Sequence, residues 1–249
     1  VPGKITSETT LKKLQSKVWK LSNGARVIYK YVPEAKGRFF FAGSSIGGKS
    51  VVPATELANY TAMRSLLMQS GVYNYNRNQL AQWLQGKDLN LSLSLEDYSD
   101  GIGGSAAVAN ADDFFGYLHL VLSKQNFSKA AFDKYIQRSV YLYDNRPLSG
   151  MEAVQDSIRQ LLYPVSALNP QDEKFFHSMQ YDQLAEQFQK HLGDASGFTY
   201  CLMGDIPEAK AKELITRYIA SLKGSGKPAV TSVTPLDFAA SAPVIKHTF

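Results

Sequence analysis

The 249-residue sequence holds one cysteine, Cys201, which excludes a disulfide framework and any multi-cysteine zinc ribbon within the chain. Its four histidines, His119, His177, His191 and His247, are too few and too scattered for a histidine-rich metal site. Long apolar runs are also missing. Stretches such as Phe39–Ala42 and Cys201–Met203 are far too short to cross a bilayer, so no membrane span is expected. No charged segment followed by an apolar stretch opens the chain, and no signal peptide is visible. A first residue of Val1 rather than Met is what a processed product or an excised piece would show. Charge of one sign is not concentrated either. The net charge is +5, but Lys and Arg are interspersed among 22 acids, the pattern of a solvated surface and not of a nucleic-acid face. What is present is 44% hydrophobic residues, enough to build a core in one large domain or two small ones.

Residues 1–16 are polar and rich in Thr and Ser, and read as a lead-in segment. Lys17–Leu21 and Ala25–Tyr31 flank Ser22-Asn23-Gly24, and Asn-Gly between two extended runs signals a hairpin. Arg38–Ser45 follows as a strand. Ala54–Ser70 lacks Gly and Pro and suits a buried helix closed by Gly71. A shorter helix fits Gln79–Gln85. Leu89, Leu91, Leu93 and Leu95 alternate with polar residues, the period of a half-buried strand, and Gly101–Val108 returns as its partner. Helices are expected over Ala111–Leu122, Lys129–Leu142, Met151–Leu162 (with a capping box, Ser149 to Glu152) and Gln180–His191. A strand over Phe198–Met203 and a helix over Pro207–Leu222 complete a domain spanning 17–222. Residues 223–249, rich in Gly, Ser, Pro and Ala, read as a linker toward a following domain. The expected fold class is α+β: a mostly antiparallel sheet of about six strands with helices on one face.

Several motifs could carry chemistry. Gly43-Ser44-Ser45-Ile46-Gly47-Gly48-Lys49-Ser50 fits G-x-x-x-x-G-K-[ST], in which backbone N–H groups wrap nucleotide phosphates at a helix N-terminus. Pro53 argues against it, because the helix should already have begun there. A P-loop-like nucleotide binder through Gly43–Ser50 therefore stands as an alternative. Gly101-x-Gly103-x-x-Ala106 resembles a dinucleotide fingerprint but falls on an expected strand. Glu173 and His177 lie four apart without an evident third ligand, so a surface pair is expected. His119 reads as a hydrogen-bonded packing residue, and Cys201 as an inert thiol in a core strand.

Taken in order, these elements resemble the domain of the pitrilysin/insulinase family of zinc metallopeptidases, the inverzincins. The resemblance covers roughly residues 17–222 and rests on Leu21-Ser22-Asn23-Gly24-Ala25-Arg26-Val27, on Phe39–Gly43, on Asp144-Asn145-Arg146-Pro147, and above all on Phe198 through Gly204-Asp205-Ile206-Pro207-Glu208. An active family domain carries H-x-x-E-H on its first long helix: two histidines bind zinc, the glutamate activates water, and a later helix adds a glutamate ligand. The resemblance places Asn59 at the first histidine, Ala62 at the glutamate, Met63 at the second histidine, and Gln137 or Arg138 at the distal ligand. None of these can replace the family residue, so no catalytic residue and no metal ligand are expected in this chain.

The resemblance implies a degenerate, non-catalytic domain that helps to enclose peptide substrate. A homologous zinc-bearing domain or subunit would supply zinc and hydrolysis, and this chain alone would be inactive. Asn59, Arg64, Gln137 and Arg138 would then face substrate, although Met63 reads more simply as core. A non-enzymatic scaffold or peptide-binding module of the same fold is the other reading. A periplasmic or extracytoplasmic setting is compatible with the family and with a single cysteine.

Overall fold

The computed structural model describes residues 3–146, 150–162 and 171–226. Ser149 of the expected capping box, Pro147 and residues 227–249 of the expected linker lie outside the described residues. A seven-stranded sheet organises the chain in the order β1-β2-β3-β9-β4-β7-β6. Its strands are β1 (Ile5–Leu11), β2 (Ser16–Leu21), β3 (Arg26–Tyr31), β4 (Arg38–Ile46), β6 (Leu89–Leu95), β7 (Ser99–Ala107) and β9 (Thr199–Gly204). A two-stranded pair, β5 (Gly71–Val72) with β8 (Gln125–Asn126), stands apart. All pairings in the large sheet are antiparallel except that of β3 with β9. The helices are α1 (Leu57–Gln69), α2 (Arg77–Leu84), α3 (Ala111–Ser123), α4 (Lys129–Asp144), α5 (Gly150–Leu162), α6 (Glu173–His177), α7 (Leu184–Phe188) and α8 (Glu208–Leu214).

The expected α+β class holds, with one more strand in the main sheet than expected. The extra strand is β1, inside the presumed lead-in. Its polar residues raise no period-2 signal because it is an edge strand exposed along its length, paired with β2 from Ile5↔Leu21 to Leu11↔Ser16. Two helices differ from expectation in form. The stretch over 180–191 is a 3₁₀ turn, then α7, then a π turn over Gln189–Gly193. The closing helix likewise passes from α8 into a π turn at Ile215–Ile219.

One face of the sheet is sealed. Phe39 and Phe41 of β4 point inward onto Phe114 and Phe115 of α3, with ring centroids 5.2–6.0 Å apart, and Tyr200 of β9 stacks on Phe41 at 5.3 Å. Burying aromatics of this size in offset and edge-on arrangements dominates the core energetics. The opposite face carries Ile28, Cys201 and Ala42 in one cross-strand row, and Phe40 beside Met203 in the next. Cys201 thus lies in a central strand but on the face that the described residues leave open, half-buried, which corrects its assignment to the core. Partial burial still pushes its thiol above the ordinary range.

Tight polar contacts set the joints. Gly204 has φ +146, and a Cβ there would lie 2.4 Å from the Arg38 carbonyl oxygen, so only glycine fits where β9 ends against β4. Asp205 then accepts from the Gly37 N–H at 2.8 Å and from the Tyr31 hydroxyl at 3.0 Å. At the hairpin, Asn23 donates to the Ile219 and Leu222 carbonyls at 2.8 and 3.1 Å, tying the first turn to the end of the last helix.

On the edge, β1 is held to α8 by Glu8, Lys17, Glu208 and Lys212, with contacts of 2.7–2.9 Å. Hydrogen bonds from Lys212 and then Lys17 pull the Glu8 carboxyl from 4.5 down to about 2. A carboxyl depressed in the folded state contributes stability above its unfolded pKa and loses it as pH falls through its folded one. Glu8→Gln should therefore lower the thermal midpoint slightly at neutral pH, with the difference shrinking below pH 4.5 and vanishing near 2. A difference that grew on acidification would contradict this account.

Candidate functional site

Helix α1 begins at Leu57 and runs thirteen residues without Gly or Pro. Its inward face includes Asn59, Ala62 and Met63, all buried. Asn59 is fully engaged: its Nδ2 donates to the Gln180 carbonyl at 2.9 Å, and its Oδ1 accepts from the Gln180 N–H at 2.9 Å. Met63 is completely enclosed in the core, and Ala62 offers no donor atom. Zinc does not fit here, because one side chain is committed to backbone, one is packed, and one has no ligating group. Among the described residues no three His, Cys, Asp or Glu side chains lie close enough to hold a metal.

The other residues singled out lie elsewhere. Gln137 and Arg138 are exposed on α4, and Arg64 is exposed on the outer side of α1. The fold therefore turns Asn59 and Met63 inward, and Arg64, Gln137 and Arg138 toward solvent. Glu173 and His177 form an exposed pair at 3.7 Å, and His119 Nδ1 lies 2.7 Å from the Tyr218 carbonyl oxygen, as a packing histidine should.

The nucleotide-loop alternative is corrected by the structure. Gly43–Ile46 belong to β4, and the segment after it forms a 3₁₀ turn, Gly48–Val51, followed by extended Val52. The amides that would wrap phosphate are taken: Gly47, Lys49 and Ser50 N–H donate to the carbonyls of Tyr98, Glu96 and Asp97 at 2.8–2.9 Å. Lys49 pairs with Asp97 at 2.8 Å, and the Ser50 hydroxyl donates to the Gly47 carbonyl at 2.6 Å. No helix starts there to present free N–H groups, so the anion-binding geometry is absent. The Gly101–Ala106 pattern is internal to β7.

One buried polar group was not legible in the sequence. Tyr60 donates to Asp100 at 2.6 Å, His191 Nδ1 approaches the other Asp100 oxygen at 3.4 Å, and the Tyr60 and His191 rings meet edge to face at 5.0 Å. Burial, with Asp100 beside it, pushes the Tyr60 hydroxyl far above its ordinary value. These residues come from α1, β7 and the π turn, and no spacing rule joins positions so distant in sequence. The group locks α1 to the sheet.

No protein-family model matches the chain. The chain is 23% identical over 206 residues to a probable zinc protease PqqL of Haemophilus influenzae, covering 82% of this chain and 22% of that protein. Among solved structures, the periplasmic protease PqqL from Escherichia coli superposes with a TM-score of 0.83 at 20% identity, over 95% of this chain and 26% of that one. A peptidase M16 inactive domain from Pseudomonas fluorescens superposes with a TM-score of 0.68 at 16% identity, over 88% of this chain and 53% of that one. The fold is that of a pitrilysin/insulinase, or M16, peptidase domain. The chain spans about a quarter of the length of the PqqL proteins it matches. The H-x-x-E-H motif is absent from the whole sequence.

Asn59 is buried and supplies both bonds to the Gln180 amide and carbonyl at the edge of the core, so Asn59→Ala would remove two part-buried hydrogen bonds. The expected loss is about 1–2 kcal/mol in urea unfolding. A loss below about 0.5 kcal/mol would mean that the Asn59–Gln180 pair does not hold the fold together.

Proposed function

We propose that this chain is the non-catalytic part of a zinc peptidase, helping to enclose peptide substrate while another domain or subunit supplies zinc-dependent hydrolysis. The observation that carries this reading is the fate of the motif helix. An M16-type fold is kept, yet the α1 positions where the family resemblance expects metal ligands hold a structural clamp, Asn59, and a core residue, Met63. Selection for a metal centre leaves ligands facing a cavity; selection for a wall leaves packing.

In this proposal the domain is the 17–222 unit together with strand β1 that precedes it in the same sheet, with 223–249 leading to a following domain. Arg64, Gln137 and Arg138 face substrate, and the open edge of β6, next to α1, offers an extended peptide unpaired backbone groups. Zinc belongs to the partner, and the compartment is extracytoplasmic, as the E. coli relative's description as a periplasmic protease suggests.

The test is the mass of the native polypeptide, read by immunoblot with an antibody to this chain, with peptidase activity of the captured protein assayed with and without a chelator. A band several-fold heavier than 27.5 kDa, or a co-captured zinc-bearing subunit, with chelator-sensitive peptide hydrolysis, is the expected result. A lone 27.5 kDa band without zinc or activity would overturn it in favour of a non-enzymatic scaffold.

A further inference from the structure

Several surface cations on helices and helical turns of this chain meet a carboxylate, as Lys190 does with Glu56 at 2.9 Å and Lys210 with Asp112 at 2.7 Å. Four neighbours do not. Arg64 on α1, Arg77 at the start of α2, and Lys134 and Arg138 on α4 are exposed, and none has an ion-pair partner among the described residues. Two cavities tie them together. One, of about 280 Å³, is lined by Arg64 and Arg77 and walled by Leu67, Leu80, Leu91 and Tyr117. The adjoining one, of about 490 Å³, is lined by Arg77, Lys134 and Arg138. Arg77 is common to both, and no carboxylate lines either among the described residues.

This arrangement costs the isolated chain stability. Lys134 and Arg138 are like charges four apart on a helix, which repel, and Met68 beside the first cavity is 68% exposed. Cations gathered without acids raise a positive potential over the groove, which draws an anionic ligand and disfavours a basic one. The apolar wall between the arginines adds a second requirement that a simple anion does not meet.

We propose that this groove, between α1, α2 and α4, binds an acidic peptide segment: one bulky apolar side chain enters the cavity walled by Leu67, Leu80 and Leu91, and flanking carboxylates lie against Arg64, Arg77, Lys134 and Arg138. The inference rests on the reading of the chain as a substrate-enclosing domain and names the substrate's chemistry. A polynucleotide would satisfy the cations but not the apolar cavity, so the peptide is the occupant the groove favours.

The test is fluorescence anisotropy with the 249-residue chain and a labelled glutamate-rich peptide carrying one central leucine. Comparison probes replace its glutamates by glutamine, its leucine by serine, or the peptide by oligodeoxythymidylate of equal charge. The acidic leucine peptide should bind about tenfold or more tightly than either altered peptide and should weaken as salt rises. Arg64→Glu with Arg138→Glu should remove that advantage. Lys13→Glu with Lys20→Glu, the same charge change outside the groove, should alter binding less than about twofold. The salt and probe comparisons need only the unaltered chain, so a poorly folding variant does not shield the idea. Equal binding of the glutamate and glutamine peptides, no peptide binding, tighter binding of the oligonucleotide, or equal loss in both double variants would overturn it. Such a failure alongside a heavy, chelator-sensitive parent protein would remove only the acidic preference and leave the enclosing role standing.

Discussion

Strand β9 is the element on which the rest of the molecule depends. It enters between β3 and β4, parallel to one and antiparallel to the other, and joins what would otherwise be two separate sheets, β1-β2-β3 and β4-β7-β6. The β1-β2-β3 and β7-β6 pairings are local hairpins, whereas β4 reaches across more than fifty residues to β7, and neither piece closes the core alone. The residues that arrive with β9, Tyr200 and Leu202, complete the inner face, and Tyr200 lies across Gly43, where any side chain would collide with its ring. Joining residues 26–31 to residues 199–204 closes a long loop through the whole helical section, an entropy cost that the contacts of β9 must repay.

Polar contacts between distant elements then specify how that section sits. Asn23 ties the first hairpin to the last helix, Asp205 ties the end of β9 to the Gly37 turn, and Asn59 ties α1 to Gln180. Tyr60, Asp100 and His191 do the same between α1, β7 and the π turn. The Tyr60–Asp100 bond is the fully buried one, where losing one partner strands the other. The apolar layer supplies most of the energy, and these contacts select one arrangement of it.

The same logic explains what became of the motif helix. A metal site needs donors that converge on an open cavity, whereas a helix that seals a sheet needs volume and satisfied amides. At positions 59, 62 and 63 the second demand prevails, while the outer side of α1 and the face of α4 keep unpaired cations beside an apolar cavity.

The sequence by itself determined most element types, because the cues are local. Asn23-Gly24 forms the turn, leucines alternating from 89 to 95 form a half-buried strand, and Gly204-Asp205 ends β9 through a conformation that only glycine adopts without collision. The absence of H-x-x-E-H was equally legible, since a motif that is not in the sequence needs no coordinates. Pro53 already argued against a phosphate loop, but only the hydrogen bonds from Gly47, Lys49 and Ser50 to residues 96–98 settle it. Tertiary structure alone decided that β1 is a strand, that Cys201 faces outward, that Asn59 is turned inward while Arg64 is not, and that Arg77 joins Lys134 and Arg138. Those outcomes depend on which backbone pairs with which and on where distant side chains converge, and neither leaves a period or a spacing in the chain.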